Sequence, residues 1–339
     1  MTEVRKLGVV LFQLGSPDSA EAVEPFLYNL FRDPDIIDFP FARLAREPLA
    51  RLVANRRARK VASHYAHMAE HFGAVLGCAS PLKEFTRRQA VALETELRRT
   101  GPARVVVAMR YWHPMIAEAI AEIEREGCNQ VVLLPLYPQF SKTTTGSSLN
   151  EWNRVYRKNG NPVHVVRGFY DYRPYLEAQV ERINEKLSAF SGSEAEGIHL
   201  LFSAHGIPVS CVEAGDPYRD QVEATTRLVM ELGGWRYPHV VCYQSKVGPG
   251  RWLQPTLLGT LDDLGRRGVR NVLVVPISFV SDHIETLHEI AEEARDEAFS
   301  FGIRKFEMTE GLNDSPAFIR ALTGLVRQAA YPAVVSTSR

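Results

Sequence analysis

Two stretches of this sequence match each other without a gap and decide the fold. They are residues 114–148, PMIAEAIAEIEREGCNQVVLLPLYPQFSKTTTGSS, and residues 255–289, PTLLGTLDDLGRRGVRNVLVVPISFVSDHIETLHE. At a constant offset of 141 residues, identical residues coincide at Pro114/Pro255, Gly127/Gly268, Val131/Val272, Pro135/Pro276 and Thr145/Thr286. QLGSP from Gln13 matches AHGIP from Ala204 in the same way, at an offset of 191. Any two βα units share some features, but a gapless match of this length favours a chain built from two similar halves.

The sequence around the repeat alternates between apolar strands and amphipathic helices. Predicted strands cover 7–12, 105–109, 131–136, 163–166, 198–202, 240–243 and 272–277, and predicted helices cover 82–99, 116–126, 175–190 and 217–232. Unbroken apolar strands are typical of parallel sheets buried on both faces, and their alternation with helices indicates βαβ units. We predict an α/β fold of two Rossmann-like, doubly wound halves with parallel sheets. The halves would be residues 1–171 and 172–339, and the last helix is a candidate to pack back on the first half.

Composition and charge narrow the class of protein. The 339 residues carry 40 basic and 40 acidic side chains, a balance that argues against broad electrostatic capture of nucleic acid. No apolar run reaches the ~18 residues of a membrane-spanning helix, and the first residues lack a signal-peptide cleavage site. The four cysteines, Cys78, Cys128, Cys211 and Cys242, are scattered and form no CxxC pair. This usage favours a reducing, cytoplasmic location over a disulfide framework.

Titratable residues follow two of the predicted strands. Ligands of doubly wound folds bind beyond the carboxyl ends of the strands, so chemistry is expected in these loops. His205 follows strand 198–202, and the segment after strand 272–277 contains Asp282 and His283 and then Glu285, Glu289 and Glu293 at i, i+4 and i+8. A turn histidine and a solvated acidic helix face are the plain alternatives. However, no basic residue separates these carboxylates, and like charges at this spacing destabilise an isolated helix. Histidine and carboxylate together suit a divalent ion such as Fe²⁺.

A second group of loop residues is aromatic and basic. The aromatic members are Tyr111, Trp112, Tyr137, Phe140, Trp252 and Phe279, and the basic members are Arg56, Arg57, Arg59, Lys60 and Arg110. Each basic residue alone is an ordinary surface residue. Together, the two sets could hold a planar ligand that carries carboxylates, by stacking and by bidentate guanidinium contacts. The sequence contains neither HExxH nor GxGxxG, so protease and dinucleotide-binding interpretations lack their signatures.

Four segments carry a family resemblance. LLFSAHGIPVSCVEAGDPY, CYQSKVGPGRWLQP, VVPISFVSDHIETLHE and PLYPQFSKTTTGSS resemble the motifs of ferrochelatases in the family's order, and the similarity extends over residues 8–326. The resemblance implies two Rossmann-like halves with a porphyrin cleft between them. It also implies a lyase that inserts Fe²⁺ into protoporphyrin IX, the last step of protoheme synthesis. Iron is then a substrate, and no nucleotide or redox cofactor is required.

The resemblance also implies roles for individual residues. His205 matches the family's proton acceptor or metal ligand, Glu285 its acidic partner across the macrocycle, and Asp282 an aspartate that orients His283. Glu289 and Glu293 match an acidic row on an irregular helix, so the expected metal-contacting residues are His205, Glu285, Glu289 and Glu293. Positions near the porphyrin are matched by Arg57, Tyr65, Arg110, Tyr111, Gln244, Ser245 and Trp252, with Tyr137 and Phe279 added from the aromatic set. Leu14 joins this set but departs from the family, because some relatives have a methionine there. A pocket that bends the porphyrin would expose its nitrogen lone pairs, and a base would accept the two N–H protons.

Some features depart from other members of the family or leave alternatives open. Lys142 occupies the loop position where some relatives carry a cluster cysteine, and no cysteine follows Cys242, so we predict no [2Fe–2S] cluster. The oligomeric state is open between monomer and homodimer. Residues 34–41, apolar and near arginines, are a candidate for peripheral membrane contact or for an ordinary lid. The alternatives for function are a coproporphyrin III ferrochelatase, a cobalt or nickel chelatase, and a non-catalytic heme- or metal-binding protein on the same fold.

Overall fold

The computed structural model of the chain describes residues 5–36, 46–76, 80–157, 160–246 and 250–332, with the backbone alone at 60, 64, 66–76, 193 and 196. The strands are β1 (Leu7–Gln13), β2 (Ala103–Met109), β3 (Gln130–Pro135), β4 (Val163–Val165), β5 (Ile198–His205), β6 (His239–Gln244), β7 (Asn271–Pro276) and β8 (Lys305–Met308). The helices are α1 (Val23–Arg32), α2 (Arg46–Leu76), α3 (Pro81–Arg98), α4 (Ile116–Arg125), α5 (Ser147–Val155), α6 (Arg173–Leu187), α7 (Ser193–Glu196), α8 (Val209–Glu213), α9 (Tyr218–Gly233), α10 (Leu257–Arg266), α11 (Arg295–Ser300) and α12 (Pro316–Ala330). A first π-helix (Lys142–Gly146) precedes α5, and a second π-helix (Glu285–Ala294) precedes α11.

The strands form two parallel sheets with the same topology. The order is β2-β1-β3-β4 in the first sheet and β6-β5-β7-β8 in the second. The elements of the two halves correspond at the offset of the sequence repeat. α4 and α10 begin and end at residues 141 apart, and so do β3 and β7. The predicted α/β fold of two similar, doubly wound halves is therefore confirmed.

Two differences from the predicted strands have physical reasons. β5 extends to His205, beyond the apolar run that ended the prediction at residue 202, because Ala204 and His205 still pair with Tyr243 and Gln244 of β6. His205 is therefore the last residue of a strand rather than part of a loop. β8 was not predicted at all: it has only four residues, two of them charged, and pairs with β7 alone at the sheet edge.

The two sheets share one apolar core. It contains Val9 and Leu11 of β1 together with Leu200 and Phe202 of β5, all fully buried. The outer faces pack separately, the first against α4 and α5 and the second against α10 and the second π-helix. α12 packs on α3, α6 and β3, and Gln130 Nε2 at the start of β3 donates to the carbonyl of Ala330 at 2.8 Å. The C-terminal helix thus contacts the first half, while the division at residues 171 and 172 stays a prediction.

A third layer lies next to the carboxyl end of the first sheet. α1 and α2 pack on each other around Phe26, Phe31 and Ala54, and the half-buried Leu14 and Tyr65 join this cluster. The residue after Leu14 is Gly15, which has a φ of 93° and lies close to the backbone of Trp112. A side chain at position 15 would not fit, so the turn that places Leu14 in this cluster requires glycine. Within the described residues, no helix has the length and apolar composition needed to cross a membrane.

Candidate active site

His205 ends β5 at the carboxyl edge of the second sheet, beside the ends of β6 and β7. Its backbone N–H donates to Ser278 Oγ at 3.1 Å, and the N–H of Gly206 donates to the carbonyl of Gln244 at 2.8 Å. A Cβ at Gly206 would lie 2.9 Å from that carbonyl oxygen, so the chain can approach β6 this closely only at a glycine. Trp252 packs against the same turn through its pairing with Pro208.

The imidazole of His205 contacts the carboxylate of Glu285. The distance from Nδ1 to Oε2 is 2.9 Å, and the histidine side chain is 35% exposed. Burial lowers the pKa of His205, but the charge and hydrogen bond of Glu285 raise it by more, so the net shift is upward. Burial opposes the ionisation of Glu285, but the charge of His205 and its hydrogen bond outweigh that effect and lower the pKa of Glu285. Among the described residues, Nε2 of His205 has no hydrogen-bond partner and is available to a ligand.

Glu289 lies one turn further along the second π-helix. Its Oε2 accepts a hydrogen bond from Ser245 Oγ at 2.5 Å. Burial and the nearby charge of Glu285 raise the pKa of Glu289 to about 7. Glu293, the third carboxylate of the predicted row, has a side chain that is 55% exposed and lies 3.4 Å from Nε2 of His288. The three carboxylates thus run from a recessed pair, Glu285 and Glu289, to a surface residue, Glu293.

His283 and Asp282 lie at the start of this segment, and both are buried. His283 Nδ1 is 3.0 Å from the carbonyl of Ser281, and the Phe279 ring lies between the imidazoles of His283 and His205, at 4.7 and 6.5 Å. Burial lowers the pKa of His283, which favours a neutral imidazole.

The first half contributes Tyr65 and Arg57 from α2. The hydroxyl of Tyr65 accepts a hydrogen bond from Ser16 Oγ at 3.3 Å. Burial raises the pKa of Tyr65, and the charges of Glu285 and Glu289 add to this effect. The hydroxyl is thus within electrostatic reach of the acidic pair of the other half. Arg57 lies over the Phe31 ring at 5.7 Å. The two halves therefore face each other across the carboxyl edges of the sheets.

Comparison with known proteins shows the family of the chain. A model of the ferrochelatase family matches residues 6–330. The chain belongs to the ferrochelatase family. A ferrochelatase of Synechococcus elongatus is 45% identical over 329 residues, which cover 95% of this chain and 82% of that protein. A ferrochelatase of Aquifex aeolicus is 43% identical over 328 residues, which cover 95% of this chain and 99% of that protein.

Solved structures support the fold independently. The structure of SirB from Bacillus subtilis with Fe3+ aligns with a TM-score of 0.56 at 11% sequence identity and covers 96% of each chain. The sirohydrochlorin chelatase SirB from Bacillus subtilis subspecies spizizenii in complex with cobalt aligns with a TM-score of 0.54 at 10% identity, covering 96% of this chain and 95% of that chain. As a ferrochelatase, the chain is a lyase that inserts iron into a porphyrin in the terminal step of heme biosynthesis.

Arg110 and Tyr111, both expected near the porphyrin, belong to a buried network. Asp33 Oδ2 lies 2.8 Å from Arg110 Nη2, and it accepts hydrogen bonds from the Tyr111 hydroxyl at 2.6 Å and from Ser147 Oγ at 2.5 Å. Tyr111 is fully buried, and burial followed by the charge of Asp33 raises its pKa well above the usual value. In this ferrochelatase, Arg110 and Tyr111 therefore anchor the segment after α1, and their contact with the porphyrin stays a prediction.

Asp282 is held by a network at the start of the second π-helix. Its carboxylate accepts hydrogen bonds from the N–H of Gly311 at 3.0 Å, from Asn313 Nδ2 at 2.8 Å and from the Thr286 hydroxyl at 3.1 Å. These contacts fix the loop in front of the second π-helix. The role of Asp282 in orienting the imidazole of His283 stays a prediction.

The other aromatic and loop residues are placed as follows. Tyr137 has a buried hydroxyl, and burial raises its pKa. Trp112 is tied to Asp18 through its Nε1, at 2.9 Å. Phe140 lines a separate groove of about 740 Å³ next to α5 and β4, and none of the expected site residues lines that groove. Residues 37–41 of the candidate membrane-contact segment, Lys60 of the basic set and Cys78 lie outside the described side chains.

Sequence analysis missed three supporting residues. Ser278 binds the backbone of His205, and Asn313 pairs with Asp282 through both its side-chain amide and its side-chain oxygen. Asp216, in the motif GDPY, accepts hydrogen bonds from Ser141 Oγ and the N–H of Lys142, both at 2.8 Å, and so joins the halves. Ser278 and Asp216 lie within family motifs, which was their only signal, whereas Asn313 lies outside the motifs and had none. Within the described residues, no group of three or more His, Cys, Asp or Glu side chains forms a ready metal site.

Proposed function

We propose that this ferrochelatase inserts Fe²⁺ into protoporphyrin IX with His205 as the proton acceptor and Glu285 as its partner. The observation that carries the proposal is the 2.9 Å contact between His205 Nδ1 and Glu285 Oε2 at the end of β5. This contact orients the ring so that Nε2 points away from the carboxylate and can accept a pyrrole proton. The raised pKa of His205 makes the imidazole a stronger base than a free histidine.

The carboxylates of Glu285 and Glu289 supply the metal side of the reaction. Both lie on the inner face of the second π-helix, while Glu293 reaches solvent from the next turn. Fe²⁺ would pass from Glu293 to the recessed pair and then to the porphyrin. Two protons leave the macrocycle as the metal enters, so negative charge at the pair favours both the incoming cation and the departing protons.

The porphyrin would bind between this face and the layer of α1 and α2. Leu14 and Tyr65 belong to the apolar cluster of that layer, and Phe279 and Trp252 flank His205 on the other side. Such a surface suits a flat, largely apolar ligand. Arg57 on α2 is our candidate for a propionate, since Arg110 is paired with Asp33. Binding of the macrocycle would supply the energy that bends it and exposes its nitrogens.

Several finer features belong to the same proposal. The preference for protoporphyrin IX over coproporphyrin III rests on the apolar character of the α1–α2 layer. The absence of a [2Fe–2S] cluster rests on Lys142, whose Nζ donates to the carbonyl of Ala214 at the position of the cluster cysteine. The cytoplasmic location, peripheral membrane contact and the choice between monomer and homodimer stay predictions.

Anaerobic metallation assays with the purified protein test these assignments. We expect Fe²⁺ insertion into protoporphyrin IX with a higher kcat/KM than into coproporphyrin III, and a lower rate with Co²⁺ or Ni²⁺. His205→Ala should lower kcat by roughly 10²–10⁴-fold, the usual contribution of a general base. His113→Ala is the matched control, because His113 Nδ1 makes a similar contact with Glu118, at 2.7 Å, on the exposed surface. Full activity in both His205→Ala and Glu285→Gln would contradict the proposed roles, and a preference for coproporphyrin III would contradict the substrate.

A further inference from the structure

The backbone at Ser245 has an unusual conformation with a consequence for the site. Ser245 follows the last residue of β6 and has a φ of 62°, in the left-handed region that residues other than glycine rarely adopt. Successive side chains of an extended strand point to opposite faces, so a regular continuation of β6 would direct Ser245 away from the contacts of Gln244. The left-handed turn brings both side chains to the second π-helix.

These two side chains hold different parts of the same helix turn. Gln244 Nε2 donates to the backbone carbonyl of Glu285 at 3.1 Å, and Gln244 Oε1 is itself fixed by the Ser203 hydroxyl at 2.6 Å. Ser245 Oγ contacts the carboxylates, at 2.5 Å from Glu289 Oε2 and 3.3 Å from Glu285 Oε2. Gln244 thus fixes the helix backbone, and Ser245 fixes the spacing of its two recessed carboxylates.

A hydroxyl suits this position because it is neutral. Two carboxylates this close repel each other, and a lysine or arginine between them would relieve the repulsion but would also repel an incoming cation. The serine hydroxyl has one hydrogen, which it can donate to Glu289 Oε2 or, after rotation, to Glu285 Oε2. It can therefore keep both carboxylates beside it without adding a charge, and a divalent cation can compete with it for their oxygens.

We propose that Ser245 is a positioning residue that holds Glu285 and Glu289 at a spacing where both carboxylates contact the incoming Fe²⁺. This inference rests on the proposed role of the acidic pair. Without the hydroxyl, the carboxylates would separate, and the metal would meet one carboxylate at a time. The affinity for the metal would fall, whereas porphyrin binding to the α1–α2 layer would not change.

Ser245→Ala and Ser245→Gly test the proposal together. Both variants remove the hydroxyl, but glycine also relieves the left-handed backbone, so a fold defect in the alanine variant would not extend to the glycine variant. We expect the KM for Fe²⁺ to rise roughly tenfold in both, as expected for loss of a hydrogen bond to a charged group, while the KM for protoporphyrin IX stays within about twofold. Ser300→Ala is the control, because Ser300 is an exposed helical serine outside the motifs, and its hydroxyl bonds only to the carbonyl of Glu297 among the described residues.

Direct binding separates this inference from the proposed function. Titration calorimetry with Co²⁺ and no porphyrin should show a roughly tenfold weaker affinity in both Ser245 variants than in the parent protein. If the parent protein binds Co²⁺ but does not metallate porphyrin, the proposed function fails, and the calorimetry still decides the role of Ser245. Parent-like KM for Fe²⁺ and parent-like Co²⁺ affinity in folded Ser245→Gly would overturn the inference.

Discussion

Gly206→Ala would disturb the site through the backbone alone, without removing any functional group. The added Cβ would lie 2.9 Å from the carbonyl oxygen of Gln244, about half an ångström closer than ordinary van der Waals contact allows, and 3.6 Å from the Trp252 ring. Because the nearest atom belongs to the backbone of β6, a rotating side chain cannot relieve the clash. The ends of β5 and β6 must move apart, and they carry His205 and Gln244.

The magnitude follows from this displacement. Overpacking of a tight site costs about 1–3 kcal/mol of folding free energy. A misplacement of ~1 Å can lower a catalytic rate by about 10²-fold, so half that displacement corresponds to roughly a tenfold loss of kcat. The contacts of the porphyrin with the α1–α2 layer should not change, because that layer is not touched.

The assay compares Gly206→Ala with Gly101→Ala. A Cβ at Gly101 meets nothing within 4 Å, so the control variant should keep its stability and rate. Urea unfolding followed by circular dichroism gives the stability, and anaerobic metallation of protoporphyrin IX gives kcat. If Gly206→Ala has the stability and kcat of the parent, the close approach of Gly206 to the backbone of β6 is not required. The reasoning would then be refuted.

Three other predictions concern the charged groups. Glu285→Gln removes the charge that raises the pKa of His205. The acid limb of the pH profile of kcat/KM should therefore move to lower pH, and the value of kcat/KM at the plateau should fall. An unmoved acid limb would show that a group other than His205 controls that limb. The pKa of Glu289 is about 7 in the folded protein against an ordinary 4.5. The free energy of unfolding therefore falls as pH rises from about 4.5 to about 7, because the carboxyl ionises more readily in the unfolded chain. Glu289→Gln should therefore raise Tm relative to the parent at pH 8 but not at pH 5, and an equal difference at both would contradict the shift. Arg110→Met leaves the Asp33 carboxylate, which is 1% exposed, without its ion pair. The free energy of unfolding, measured with urea, should fall by about 3–5 kcal/mol. Adding Asp33→Asn should recover part of that loss, and no recovery would contradict the ion pair as its cause.

The repeat predicted much of the fold because the strands of both halves are buried on both faces. β3 and β7 are unbroken apolar runs followed by proline, and their bounds differ from the predicted ones by a single residue at each end. β8 could not be found in this way, since an edge strand of sequence KFEM has no apolar run. The bounds of the two π-helices were equally inaccessible, because Glu285, Glu289 and Glu293 share a face on either kind of helix.

The site was predictable where a strand directs the side chain and unpredictable where a distant partner does. His205 ends β5 and Glu285 comes after β7, and these neighbouring strands end at one sheet edge, so their meeting follows from topology. Arg110 follows a strand as well, but its partner Asp33 comes directly after α1, and nothing in the sequence around Arg110 indicates that pairing. The contact of Ser245 with Glu289 depends on one backbone torsion, which no pattern of apolar residues encodes.

The repeat also explains why the chemistry belongs to one half. At the offsets that align the halves, Leu14 corresponds to His205, Thr144 to Glu285 and Ser148 to Glu289. The first half therefore has equivalent strand ends and a shorter π-helix after β3, but it carries no titratable side chain at these three positions. Two acidic faces across one cleft would repel each other and would leave no apolar wall against which a porphyrin could bend. Under the proposed function, a duplicated scaffold with one apolar and one titratable copy would give the macrocycle a surface to bind and the metal a separate side from which to enter.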